Sequence, residues 1–125
     1  MHPDDPIERL YYSVIGAFFD VHSTLRFGLF EQLHMAALEI ELIEHGHRVR
    51  REVCVPVTYK GRAIGMQRLD MLVDDTLVVE AKSTEVLPKS AARQLQSYLA
   101  ATRFRHGLLL HFGPEARFYR FGRRE

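Results

Sequence analysis

The period of the hydrophobic pattern changes after Gly46, and this change limits the folds that the sequence can adopt. Before Gly46, apolar residues recur at intervals of three and four, which is the period of an amphipathic helix. The first stripe contains Ile7, Leu10, Tyr11, Val14, Phe18 and Val21, and the second contains Leu29, Leu33, Ala36, Ala37, Ile40 and Ile43. Asp4 and Asp5 can cap the first helix, Pro6 suits its first turn, and residues 23–28 are predicted to form a loop. The sequence therefore predicts two helices before Gly46.

After Gly46 the apolar residues alternate, which is the period of a strand with one buried face. The alternation predicts strands over residues 51–59, 64–73 and 77–82, joined by turns at residues 60–61 and 74–76. Pro56 cannot donate to a sheet ladder, so the first strand is expected at an edge. A third helix is predicted over residues 88–101, with Ala92, Leu95 and Leu99 inward, followed by strands over residues 107–112 and 116–121. The element order ααβββαββ allows one parallel crossover and gives an α+β (mixed α/β) fold class.

The size and composition of the chain fit one domain that covers residues 1–125, because 46% of its 125 residues are apolar. Residues 10–19, the longest uncharged stretch near the N-terminus, fall well short of the roughly 20 residues of a membrane-spanning helix. The acidic start of the chain lacks the features of a secretory signal. The single cysteine, Cys54, fits a reducing compartment and excludes a cysteine-rich zinc site. We therefore expect a cytoplasmic protein without a membrane segment.

The two parts of the chain, before and after Pro88, carry opposite net charges. Residues 1–88 contain nine Lys and Arg against fourteen Asp and Glu, a balance of −5, and residues 89–125 contain eight against two, a balance of +6. The basic part includes Arg93, Arg103, Arg105, Arg117, Arg120, Arg123 and Arg124. A basic surface attracts a phosphate backbone, which makes DNA or RNA a candidate partner. A solvated basic face without a partner is the alternative.

Two acidic residues and a lysine of the predicted hairpin have the chemistry of a metal site. If the hairpin is centred on Asp75, Asp70 lies directly across from Glu80, with facing Cβ atoms roughly 5 Å apart. Lys82 shares a strand face with Glu80, because side chains two residues apart point the same way. Two such carboxylates favour a shared Mg²⁺ or Mn²⁺, and the lysine could serve a water that attacks a phosphodiester. An exposed Glu–Lys pair beside a solvated aspartate is the alternative.

Several short segments, in order, resemble a known family. They are residues 28–34 (Gly-Leu-Phe-Glu-Gln-Leu-His), 15–17 with 21–22, 68–70, 80–82, 94–99, and 107–110 with 112–113. The first is similar to the Gly-x-x-Glu-x-x-Tyr signature of the GxxExxY proteins, a branch of the PD-(D/E)XK nuclease superfamily. The resemblance covers residues 7–121 and implies a restriction-endonuclease-like fold, a small mixed sheet flanked by helices.

The resemblance also implies roles for individual residues. Asp70 and Glu80 match the metal-binding carboxylates, Lys82 matches the lysine of the Glu-x-Lys triplet, and Glu31 matches the helix glutamate that completes the acidic site. Gln94 matches the glutamine of the following helix, with Tyr98 one turn further along the same face. His34 stands where the family has tyrosine and is expected to pack or to hydrogen-bond in its place. His22, also matched, either lies near the acidic site or packs.

Together these features predict a metal-dependent nuclease. Glu31, Asp70 and Glu80 would hold Mg²⁺ or Mn²⁺, Lys82 would serve the attacking water, and Gln94 with Arg68 would position the site or the phosphate. Nucleic acid would bind through Arg68 together with Arg93, Arg103 and Arg105, which are expected to flank the pocket. The small size of the domain favours a homodimer. The alternative is a non-catalytic module that binds nucleic acid or protein and retains the fold.

Overall fold

The computed structural model describes residues 5–122 of the chain. Its elements are α1 (Pro6–Leu25), α2 (Glu31–Glu44), β1 (Val49–Tyr59), β2 (Arg62–Val73), β3 (Leu77–Lys82), α3 (Ser90–Ala101), β4 (His106–Phe112) and β5 (Ala116–Gly122). This order confirms the predicted α+β class. Asp4, Arg123 and Arg124, which carry the prediction of a helix cap and a basic tail, lie outside the described residues.

The five strands form one mixed sheet in the order β1-β2-β3-β4-β5. β1 lies at an edge, as Pro56 predicts, and the crossover through α3 makes β3 and β4 parallel while the other neighbours are antiparallel. Lys60 and Gly61 form the tight β1–β2 turn with φ angles of 50° and 78°. Two consecutive positive φ angles match the twist of a two-residue hairpin, and glycine adopts such an angle without strain.

Helices cover both faces of the sheet. On one face, α1 and α2 pack against Leu77, Val79 and Ala81 of β3. On the other face, α3 packs through Leu95 and Leu99 against Val78, and the predicted inward positions of both leucines are confirmed. Because side chains alternate along a strand, Glu80 and Lys82 point to the same side as Val78. The alternation of β3 therefore directs its two ionisable residues away from the α1–α2 core.

His47, which follows α2, ties α1 to the β2–β3 turn. Its Nε2 lies 2.6 Å from Ser13 Oγ and its Nδ1 lies 2.7 Å from Asp74 Oδ2. Because Ser13 lies within α1, the neighbouring backbone N–H groups bond inside the helix and do not form an oxyanion hole. The Ser–His–Asp arrangement is therefore a structural link between elements. His45, two residues earlier, makes a separate contact with Glu41 of α2.

Two predictions about the helices are wrong. α1 continues to Leu25, so residues 23–25 belong to the helix and the loop is shorter than expected. α2 buries the face formed by His34, Met35, Leu38 and Leu42, whereas the predicted inner face is exposed. Apolar residues occupy both sides of α2, so the period alone could not show which side is buried. The buried side also contains a polar residue, His34, which made it look less suited to the core. No helix within residues 5–122 is long and apolar enough to cross a membrane.

Candidate active site

The candidate site lies where the ladder between β2 and β3 ends. The last backbone pair is Met71 with Val79, which confirms the predicted register and makes Asp70 and Glu80 the next positions. There the carboxylates replace backbone partners: Glu80 Oε1 accepts from the N–H of Asp70 at 3.3 Å, and Asp70 Oδ2 accepts from the N–H of Ala81 at 3.4 Å. The backbone ladder ends at this point. The two N–H groups without a partner in the ladder donate to the carboxylates and hold them side by side.

The environment of Glu80 favours its protonated form. Burial, the hydrogen bond with Asp70 and the negative charge of Asp70 raise the pKa of Glu80 from 4.5 to about 9, and the positive charge of Lys82 opposes the shift. The desolvation of a carboxylate and the repulsion of a second one act in the same direction. At neutral pH these surroundings favour a protonated carboxyl group at Glu80.

Glu31 joins this group from the first turn of α2. Burial raises the pKa of Glu31, the charge of Asp70 raises it further, and Lys82 lowers it. Glu31 and Asp70 line one cleft of about 70 Å³, together with Arg51, Glu52 and other residues of α2 and β2. Glu31, Asp70, Glu80 and Lys82 thus lie close enough for their charges to act on one another, and Glu31 and Asp70 are the two that line the cleft.

The residues present suit a hard divalent cation in chemistry but are not arranged around one. Within residues 5–122, no group of three or more His, Cys, Asp or Glu side chains is close enough to hold a metal ion. One oxygen of the Glu80 carboxyl group accepts from the Asp70 N–H instead. Oxygen donors with shared negative charge are nevertheless the ligands that Mg²⁺ and Mn²⁺ prefer. Metal binding would have to displace the proton that the surroundings of Glu80 favour.

Tyr98 and Gln94 lie on α3, the helix that faces this side of the sheet. Burial raises the pKa of the Tyr98 hydroxyl, and the negative charges of Glu80 and Asp70 raise it further, which places the phenol close to both carboxylates. Gln94 is exposed one turn earlier on the same face of α3. Tyr98 is therefore near enough for the charges of both carboxylates to act on it, and the predicted role of the exposed Gln94 stays a prediction.

His34 holds the segment that follows Lys82. The His34 ring is fully buried and stacks on Phe112 with a centroid separation of 4.3 Å. Its Nε2 donates to the carbonyl oxygen of Arg26 at 2.9 Å, which leaves Nδ1 to accept from the Ser83 hydroxyl at 2.6 Å. His34 thus joins the start of α2 to the residue after Lys82.

A second histidine, which the sequence did not single out, holds the same segment. His111 is buried in β4 beside Lys82, and its Nε2 donates to the carbonyl oxygen of Thr84 at 2.7 Å. A Cβ atom at Gly113 would come within 2.7 Å of the His111 ring, so this ring position requires glycine there. His22 donates from Nε2 to the carbonyl oxygen of Gly113 at 2.7 Å, so its bond goes to the β4–β5 turn and not to the carboxylates.

The predicted nucleic-acid-binding arginines do not lie together. Arg68 is exposed and lines the cleft with Glu31 and Asp70. Arg103 pairs with Asp75 at 3.1 Å, at the end of β3 opposite Lys82, and Arg105 lines a surface pocket at that same end. The expectation that these two flank the carboxylate pocket is therefore wrong, because the loop before β4 returns to the start of β3. Arg93 is exposed on α3.

Arg51 is a cleft residue that the sequence did not reveal as functional. Its guanidinium pairs with Glu39 at 3.4 Å, and its buried Nε has no hydrogen-bond partner among the described residues. A buried donor without an acceptor is costly, and Arg51 is among the residues that line the open cleft. The alternating pattern of β1 showed only that Arg51 shares a face with Val53, which predicts no function.

Comparison with known proteins identifies the class to which the fold belongs. A mixed sheet with a parallel β3–α3–β4 connection and helices on both faces is similar to the fold of solved nucleases. A family model described as the PD-(D/E)XK nuclease superfamily matches residues 8–121, and the chain belongs to that superfamily. Nucleases of this superfamily generally use divalent metals. No curated protein matches the chain significantly.

Two solved structures share the fold. The crystal structure of SSO0001 has a TM-score of 0.56 and 20% sequence identity, and the match covers 76% of this chain and 50% of that one. An alkaline exonuclease (LHK-Exo) from Laribacter hongkongensis has a TM-score of 0.53 and 18% identity, with 99% of this chain and 73% of that one covered. The chain thus spans about half the length of SSO0001. At these identities the likeness concerns the fold alone.

Proposed function

We propose that the protein hydrolyses phosphodiester bonds of DNA or RNA with Mg²⁺ or Mn²⁺. The observation that carries this proposal is the pair of carboxylates, Asp70 and Glu80, at the open end of the β2–β3 ladder beside Lys82. Carboxyl groups with strongly shifted pKa values in an accessible cleft are typical of functional sites. Membership in a nuclease superfamily supports the same chemistry.

Asp70 and Glu80 would hold the metal, with Glu31 as the third carboxylate. When bound, the metal would act as a Lewis acid that stabilises negative charge on the phosphate. Glu80 would give up its proton as the cation replaces it. The Lys82 ammonium, whose charge already acts on Glu31 and Glu80, would donate hydrogen bonds that orient the attacking water. Each role uses a group that the structure holds within this neighbourhood.

The arginines of the cleft would bind the phosphate backbone. Arg51 presents a buried Nε–H without a partner in the described part of the chain, and Arg68 is exposed at the same cleft. Guanidinium groups match phosphate oxygens in charge and geometry. We propose that Arg51 contributes more per residue than Arg93, Arg103 or Arg105, whose roles in nucleic-acid binding stay predictions.

The sequence signature supports a finer assignment to the GxxExxY branch of the superfamily. In that assignment Gln94 and Tyr98 line the site from α3, and His34 replaces the tyrosine of the signature. The buried ring and two hydrogen bonds of His34 support a positioning role, because they connect the helix of Glu31 to the residue after Lys82. Location in the cytoplasm stays a prediction.

One observation favours the alternative of a non-catalytic module that binds nucleic acid or protein. In the described residues the carboxylates are not arranged around a metal, and Glu80 is bonded to the backbone. A module of this kind would bind its partner equally well with or without a divalent ion. Calorimetric titration with Mn²⁺ separates the two functions before any substrate is known.

The test of the proposal compares wild type with Asp70→Asn and Lys82→Ala on a panel of single- and double-stranded DNA and RNA. We expect cleavage by wild type with Mg²⁺ or Mn²⁺ and no cleavage in EDTA. Asp70→Asn should lose both metal affinity and turnover, whereas Lys82→Ala should lose turnover and keep metal affinity. The exposed residues Asp20 and Lys89 provide matched controls, Asp20→Asn and Lys89→Ala, which should behave as wild type. Mn²⁺ binding without cleavage of any substrate would contradict the nuclease assignment.

The contribution of Arg51 can be measured separately by binding to the same nucleic acids at several salt concentrations. Removing one phosphate contact should weaken binding and reduce the slope of log affinity against log salt by about one. Arg51→Met keeps the length of the aliphatic stem, and Arg62→Met, at the exposed β1–β2 turn, is the matched control. An unchanged salt slope in Arg51→Met would remove Arg51 from the proposed phosphate site.

A further inference from the structure

The outer face of α2 is apolar although it points to solvent. Phe30 at its N-cap is 83% exposed, and Leu33, Ile40 and Ile43 are 51%, 60% and 54% exposed. Together with Ala36 and Ala37 they form one continuous band, which we call the α2 stripe. The buried residues of α2 lie on the opposite side of the helix. Within the stripe, Ala37 is partly buried against the α1–α2 core, whereas the four large side chains belong to neither core cluster.

The α2 stripe is a contiguous apolar patch and not a set of single exposed residues. Its four large side chains expose on the order of 500 Å² of apolar surface, the size of the largest patch on a typical monomer, and such patches are often functional. A standard protein interface buries roughly 800 Å² on each partner, with an apolar centre and a polar rim. The stripe therefore supplies the apolar centre of one such interface.

The order of residues in the α2 stripe is symmetric about its middle. Counting outward from the bond between Ala36 and Ala37, Leu33 corresponds to Ile40, and Phe30 corresponds to Ile43. A two-fold axis at that bond brings the same surface of two copies together, with alanines at the closest approach and large side chains on both sides. The pattern thus complements itself when two α2 helices run antiparallel.

The charges of α2 favour the same orientation. Glu41 and Glu44 lie in its C-terminal half. Glu39, in the same half, is turned away from the stripe and pairs with Arg51 of β1. A parallel pair would place Glu41 and Glu44 beside the same glutamates of the other copy, where like charges repel. An antiparallel pair moves each acidic half next to the N-terminal half of the other helix, where the helix dipole is positive.

We propose that the protein forms a two-fold symmetric homodimer in which the α2 stripes of two copies pack antiparallel. Glu31 projects from the opposite side of α2 toward Asp70, so dimer formation leaves the candidate active site open. The proposal does not depend on nuclease activity, because mass alone tests it.

The first experiment measures molecular mass by sedimentation over a range of protein concentrations. We expect wild type to dimerise and Ile40→Glu to weaken the dimer by about 100-fold or more, because the charge enters the interface twice. Ile64→Glu is the matched control, since Ile64 of β2 is 67% exposed and lies outside the stripe. Circular dichroism confirms that each variant is folded. A wild type that stays monomeric at every concentration overturns the proposal, as does a dimer that Ile40→Glu leaves intact.

The second experiment tests the orientation by exchanging charges. In the antiparallel pair, position 33 of one copy faces position 40 of the other. Leu33→Arg and Ile40→Glu should each be monomeric alone, and an equal mixture should form a heterodimer through one new ion pair and one unchanged Leu33–Ile40 contact. A parallel pair would gain neither contact, so absence of a heterodimer in the mixture overturns the antiparallel arrangement.

Discussion

Replacement of Glu80 by glutamine should stabilise the metal-free protein at neutral pH. In the folded state, burial and the hydrogen bond and charge of Asp70 raise the pKa of Glu80 from 4.5 to about 9. In the unfolded chain the same group ionises near its ordinary pKa. The folded state therefore binds one more proton between these values, and its free energy of unfolding falls as pH rises through this window. Glutamine stays neutral throughout and can still donate to Asp70.

The size of the effect follows from the distance between the two pKa values. Each pH unit above the ordinary value of 4.5 lowers the free energy of unfolding by about 1.4 kcal/mol until the folded-state pKa is reached. At pH 7 this amounts to about 3 kcal/mol, a large part of the stability of a small domain. Below pH 4.5 the contribution is present in full, so wild type and Glu80→Gln should then differ little.

The assay is urea unfolding of the metal-free protein in EDTA at several pH values between about 5 and 9. The difference in unfolding free energy between Glu80→Gln and wild type should grow with pH and reach about 3 kcal/mol near neutrality. Glu85→Gln is the matched control, because Glu85 is exposed and its replacement should change stability by less than about 0.5 kcal/mol. If Glu80→Gln is no more stable than wild type at pH 7, folding does not raise the pKa of Glu80 as its surroundings suggest.

Three further predictions concern metal, histidine and glycine positions. Below the pKa of Glu80, affinity for Mn²⁺ should rise by up to about tenfold per pH unit, because the cation replaces the proton of Glu80. An Mn²⁺ affinity that calorimetry finds to be the same at every pH would refute this prediction. His34→Phe should keep the stack on Phe112 but leave two hydrogen-bond partners unsatisfied, which should lower the free energy of unfolding by about 2 to 4 kcal/mol in urea titrations. Gly107→Ala should destabilise the fold by about 1 to 3 kcal/mol, because the new Cβ would lie 3.0 Å from the Leu99 side chain. Gly16→Ala, on the open face of α1, should instead stabilise the fold by about 0.5 to 1 kcal/mol. Equal effects of the two substitutions in thermal unfolding would contradict this packing.

The sequence predicted the sheet better than the helices for a physical reason. Strand alternation and turn residues fix a register, because a shift by one residue exposes every buried side chain, and the pairing of Met71 with Val79 has the predicted register. α2 carries apolar residues on both sides, so no rule of periodicity could select the buried one. The buried side packs Met35, Leu38 and Leu42 into the core, and the tertiary hydrogen bonds that let His34 join them are not visible in a sequence.

Some features of the candidate site could likewise be predicted from the sequence, whereas others depend on tertiary packing. The positions of Asp70 and Glu80 followed from the hairpin, and the place of Glu31 followed from the family signature. The placement of Arg103 failed because the charge pattern gave no information on which end of the sheet the loop before β4 would reach. Arg51 was missed because its significance depends on a buried Nε without a partner in the described residues, a property of packing alone.

The end of the β2–β3 ladder explains why the surroundings of Lys82 contain buried histidines. Beyond Val79, β3 has backbone pairs with β4 but none with β2, so the strand is held from one side where Lys82 lies. The hydrogen bond of His34 to the residue after Lys82 supplies a second attachment, and it comes from the same helix that carries Glu31. A displacement of α2 therefore shifts Glu31 and the end of β3 together. If α2 packs against a second copy through its outer face, the contact that forms the dimer also fixes the helix on which the third carboxylate depends.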